Sequence, residues 1–145
     1  MKPVTLLTMI LLLILANETI AQNKIFFHKN TFDKTFTNCT NPPEFGSDSS
    51  HLKKYFEEKL QDQISKTHGQ IKIGVLIDTA GKPQCEWIEN SSNFKIFKNK
   101  LNLLIDSMPV WNYGIQNGYK VNCAELIVLT FNRQNLEATY RIGTE

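Results

Sequence analysis

The 145-residue sequence has no internal repeat and no low-complexity stretch, which excludes repeat architectures and composition-driven disorder. Cysteine is scarce. Cys39, Cys85 and Cys123 lie far apart with no C-x-x-C pair, so a zinc site of closely spaced thiolates is not expected. Positive charge is thinly spread. Lys53 and Lys54, and the lysines at 95, 98 and 100, stand beside apolar residues and read as solvated helix faces, too sparse for the stripe that tracks nucleic-acid phosphates. His28, His51 and His68 have no carboxylate or cysteine at a metal-ligand or nucleophile-activating spacing. Asp48 near His51 fits a helix cap, and adjacent Glu57 and Glu58 point in different directions on a helix, which suits solvent rather than acid-base work. No catalytic constellation is left. Neither an enzyme nor a cofactor, metal or small-molecule substrate is expected.

The chain also lacks an uninterrupted apolar run of the roughly 20 residues that a membrane-crossing helix needs. It begins instead with Met1-Lys2, an apolar stretch from Val4 to Ala16, and small residues around Thr19-Ile20-Ala21. Residues 1–21 therefore read as a cleaved secretory signal. No cysteine follows closely enough for lipid attachment. Removal of the signal takes away Lys2 and Glu18 together, so the formal net charge stays at +2. Export places the three cysteines in an oxidising compartment, where one bridge forms and one thiol is left over; the spacing leaves all three pairings open.

Residues 22–43 form a polar leader or arm with scattered phenylalanines (Phe26, Phe27, Phe32, Phe36), ended by Pro42-Pro43. The domain is expected over 44–132 and a polar tail over 133–145. Within the domain, Asp48-Ser49-Ser50 offers capping side chains, and Leu52, Tyr55, Phe56, Leu60 and Ile64 share one helical face. That helix is expected to close near His68-Gly69. Ile71, Ile73, Val75 and Ile77 alternate as a strand, Asp78 to Gly81 reads as a turn, and Gln84 to Ile88 returns with Cys85 and Trp87 on one face. Phe94, Phe97, Leu101, Leu104, Ile105 and Met108 define a second helix stopped by Pro109. Val121 to Phe131 reads as a third strand, apolar on both faces from Leu126 to Leu129. The expected class is α+β: a small three-stranded antiparallel sheet with two helices on one face.

Between that helix and the third strand runs Met108-Pro109-Val110-Trp111-Asn112-Tyr113-Gly114, followed by Gly118 and Val121. Trp111 reads as a core plug, and Gly114 and Gly118 as positions whose backbone excludes a side chain. A strand follows, not a helix, so this is no phosphate-binding glycine loop. Met-Pro-x-Trp, a Gly three residues on, a second Gly and then a strand resemble the TonB C-terminal domain family. The resemblance extends from about Pro43 to Phe131 and includes Pro43-x-Phe45-Gly46. The sequence departs from the family's pattern at Tyr113, where a Pro is usual, and at Ala80, where an Asp is usual, and it lacks a Tyr-Pro pair after the first helix. The stretch from Gln22 to Pro43 is also too short to span a periplasm, at about 3.3 to 3.6 Å per residue.

The resemblance implies a protein of the periplasm or cell envelope that binds an extended segment of a partner, such as a TonB-dependent outer-membrane receptor, in connection with transport. The implied site is the edge of the third strand: Val121, Asn122, Cys123, Ala124, Glu125, Leu126, Ile127, Val128 and Leu129. The alternative is a structural or assembly subunit that pairs with a second copy of itself or docks in an envelope complex.

Overall fold

The computed structural model describes residues 23–26, 35–94 and 100–142. The expected signal segment, His28, Phe27, Phe32 and residues 95–99 of the expected second helix lie outside them, while Phe94, its expected first residue, is buried and lies outside any helix. In chain order the elements are β1 (Asn23–Phe26), β2 (Thr35–Phe36), α1 (Ser49–Ile64), β3 (His68–Ile77), β4 (Pro83–Asn90), α2 (Lys100–Asp106), β5 (Gly114–Gln116), β6 (Tyr119–Asn132) and β7 (Leu136–Ile142).

Helix α1 starts where Asp48, extended at φ −159°, accepts a hydrogen bond from the Ser50 N–H at 2.7 Å. The Ser50 hydroxyl, then its N–H, hold the Asp48 carboxyl below its ordinary range, as an N-cap does. Leu52, Phe56 and Leu60, one turn apart, are buried. The helix ends at Ile64, and His68 already opens β3, earlier than the glycine predicts. Gly69 serves the strand instead: at φ +106° it lets the backbone at Ser91 and Ser92 approach where a Cβ would collide.

The sheet corrects the expectation of three antiparallel strands. Six strands form one mixed sheet in the order β1-β4-β3-β6, with β2 and β7 lying on the far flank of β6. Every pair is antiparallel except β2 with β6. Strand β5 forms a separate short hairpin with Tyr119–Val121. The class is still α+β, but the leader supplies β1 and β2 and the tail supplies β7, so the compact unit runs beyond both expected boundaries. Asn117 and Gly118, at φ 52° and 81°, make the β5–β6 turn, since two left-handed residues match the twist of a tight hairpin.

One core joins the helices to the sheet. Leu52, Phe56 and Leu60 of α1 and Leu101 and Ile105 of α2 pack with Ile71, Ile73, Ile77, Ile88, Ile127, Leu129, Phe131 and Leu136. A bulge beside Gly74/Val75 breaks the alternation of β4. Cys85 therefore pairs with Val75 and faces the core, whereas Trp87 pairs with Gly74 and lies across it on the opposite face. The two do not share a face. A Cβ at position 74 would meet the indole, so the glycine makes room for that ring.

Trp111 is 2% exposed and sits between Phe45, with ring centroids 5.2 Å apart, and Tyr140 at 5.4 Å. The Trp111 backbone N–H donates to the Gly81 carbonyl at 2.9 Å, which ties the β3–β4 turn to the loop after α2. Leu136 in the former tail is fully buried. Leu136→Ala is expected to lower stability by about 2 to 5 kcal/mol, the range for a buried leucine. Urea unfolding checks this, and a change under about 0.5 kcal/mol, typical of a surface site, would place the tail outside the core.

Candidate functional site

Strand β6 carries every residue expected at the partner-binding edge, and it is not an edge. On one flank it pairs with β3, from His68 opposite Asn132 to Ile77 opposite Cys123. On the other, β7 pairs from Glu125 opposite Ile142 to Phe131 opposite Leu136. Thr35 and Phe36 of β2 pair with Asn122 and Cys123, and Gly114 of β5 pairs with Val121. From Asn122 to Leu129, then, the outward flank is occupied by the chain's own segments, except at Ala124, which falls between β2 and β7, and Val121 is taken up by the β5 hairpin. The β7 pairing needs only seven tail residues, whose sequence Leu-Glu-Ala-Thr-Tyr-Arg-Ile is too short and too polar to announce a strand.

A disulfide fixes the leader to this strand. Cys39 is bonded to Cys123 across 84 residues, and Cys85 is left free and buried. In a chain-entropy account a loop of that length contributes roughly 4 to 5 kcal/mol by restricting the unfolded chain. Burial, with Asp106 and Glu86 nearby, pushes the Cys85 thiol up to about 12, which makes it an inert core residue. Gly114 lies against the bridge, where a Cβ would strike the Cys123 sulfur. Paired N–H to carbonyl bonds between Asn41 and Ile115 and between Glu44 and Asn112 continue the attachment. The motif Met108, Pro109, Trp111, Gly114, Gly118 thus seats the core ring and accommodates the bridge.

With β6 enclosed, the outer flank of β7 is a terminal edge of the sheet among the described residues, next to the two-residue β2, and β1 is the edge on the opposite side. Helix α1 lies over β7. Its Tyr55 hydroxyl donates to the Leu104 carbonyl of α2 at 2.9 Å, so that side of the helix faces inward along the helix layer. The opposite side, with Lys53, Glu57, Gln61 and Ile64, overhangs the β7 edge. Leu136 and Ala138 point to the core, so Glu137 points to the face away from the helices. Yet Lys53 Nζ on α1 lies 3.2 Å from Glu137 Oε1 and 3.8 Å from Glu57 Oε1. The ion pair therefore reaches around the free edge. Charges at this position blunt the edge against unwanted strand pairing.

Glu125 is the residue that its site assignment misjudged most. Its place in the alternation Cys123, Glu125, Ile127, Leu129, Phe131 puts it on the core face, 4% exposed, and neither carboxylate oxygen has a hydrogen-bond partner among the described residues. The two-residue period gave that signal in advance. Burial raises its pKa from 4.5 to about 8. Among the described residues, no His, Cys, Asp and Glu side chains gather in threes as metal ligands would, and no helix is long and apolar enough to cross a membrane. The chain matches no family model, no curated protein and no solved structure.

The Glu125 proton sets a pH dependence of stability. The unfolded carboxyl releases its proton near 4.5 and the folded one near 8, so ionisation of Glu125 adds no cost below the lower value. Stability then falls as pH rises between the two, by about 1.4 kcal/mol per unit, and levels off above the higher. Glu125→Gln is expected to flatten this slope and to be the more stable protein at pH 9. Urea midpoints from pH 4 to pH 9 for both proteins test it, and parallel slopes would contradict it.

Proposed function

We propose that this chain is an exported protein-interaction domain that binds an extended segment of an envelope partner by strand addition, the segment pairing along the outer flank of β7. A TonB-dependent outer-membrane receptor is the partner class that the motif from Met108 to Val121 favours, with a part in transport. The observation that carries the proposal is the edge itself. Strand β7 is seven residues long, lies at the end of a six-stranded sheet and has no strand on its outer side among the described residues.

About half of the β7 backbone groups point outward, and each added hydrogen bond contributes about 0.5 to 1.5 kcal/mol net. A short segment gains modest, reversible affinity from that source. The expected site on β6 is not proposed again, because a segment could reach its flank only by replacing β7 and exposing Leu136 and Ala138, both buried.

Titration of isotope-labelled protein with extended receptor segments is expected to shift amides from Leu136 to Ile142 and to leave the centre of β3 unchanged. No shift along β7 at millimolar peptide would overturn the proposal. Light scattering separates the rival reading: a dimer that dissociates on dilution would assign the same edge to a second copy of the chain.

A further inference from the structure

Resting on strand addition at β7, we propose that the flank of α1 above this edge selects a basic side chain, arginine or lysine, on the incoming segment. The partner is thus an extended peptide with one cationic residue on its helix-facing side. Three observations converge on it.

First, a groove of about 310 Å³ between α1 and the β6–β7 turn is bordered by Glu57, Glu58 and Gln61 on the helix and by Gln134 and Asn135 in the turn, with Ile64 and the buried Leu136 beneath. An apolar floor and an acidic rim suit a long aliphatic stem ending in a positive group. Second, the chain places such a group beside the groove, one helical turn before Glu57. Lys53 bridges Glu57 and Glu137, and the Asn135 side-chain amide donates to the same Glu137 oxygen at 2.6 Å. Third, this occupant is held loosely. All three ionic side chains are at least a third exposed, and ion pairs so open to solvent contribute little.

An added strand must move Lys53 aside, because the Lys53–Glu137 contact crosses the flank where the new hydrogen bonds form. Displacing it leaves Glu57 and Glu137 without their cation. A peptide arginine restores that charge and offers a planar fork that a carboxylate can accept in two places. A neutral peptide leaves both carboxylates unpaired, and an acidic one adds repulsion. Lys53 is in this reading a resident competitor for the site that the partner fills.

The test uses the full mature chain and a set of eight-residue peptides of alternating Thr and Val, each with one Arg, Gln or Glu scanned through the even positions, followed by fluorescence anisotropy at low salt. The Arg peptides are expected to bind about tenfold more tightly than their Gln counterparts at one or two positions, with the preference shrinking at 0.5 M salt. Glu57→Gln combined with Glu137→Gln should abolish the preference without weakening the Gln peptides. Lys53→Ala should tighten the Arg peptides several-fold. All these substitutions are on the surface, and circular dichroism confirms that the variants fold. Equal affinity of Arg, Gln and Glu peptides would overturn the charge selection while strand addition stands. No binding by any peptide would overturn both.

Discussion

A β-strand has two flanks, and each can be paired once; the use made of the two flanks of β6 decides most of this structure. β3 takes one flank over ten residue pairs, and β7 with β2 takes the other. Enclosure on both sides makes β6 the strand around which the core is layered, with Ile127, Leu129 and Phe131 pressed under the helices. It also moves the free edge outward by one strand, to β7. The leader is drawn into the same arrangement by the bond between Cys39 and Cys123, which fastens it where β7 ends. Gly114 is needed because that bridge occupies the space where its side chain would be.

Enclosure also accounts for the electrostatics. A carboxyl on the inner face of an edge strand could turn toward water; on a central strand it cannot, and Glu125 holds its proton well into the neutral range. At the true edge the opposite solution is found. Lys53 and Glu137 reach solvent, pair with each other, and are placed where a strand would otherwise pair without selection. Buried and exposed charges therefore mark the inner and outer strands as clearly as the backbone pairing does.

Much of the central architecture was legible in the residues. The four-residue spacing of Leu52, Phe56 and Leu60, the alternation from Ile71 to Ile77, and the stop at Met108-Pro109 follow directly from periodicity and proline chemistry, and Asp48 caps its helix as its position suggests. What escaped was decided elsewhere in the chain. The two residues of β2 and the polar tail strand carry no pattern strong enough to stand alone, and they are strands because β6 offers them partners. Trp87 changed faces because of a bulge, and an inserted residue reverses a two-residue alternation without changing composition. The candidate site moved for the same reason: whether a strand is an edge depends on its neighbours, which its own sequence does not encode.

The central claim is that β6 is interior and β7 is the edge. Amide hydrogen exchange resolved residue by residue tests it most directly, because an interior strand protects all its N–H groups and an edge strand protects every second one. Continuous protection from Glu125 to Phe131, with alternating fast and slow exchange from Glu137 to Tyr140, is the predicted result. Alternating exchange along β6 with uniformly fast exchange in β7 would contradict the account.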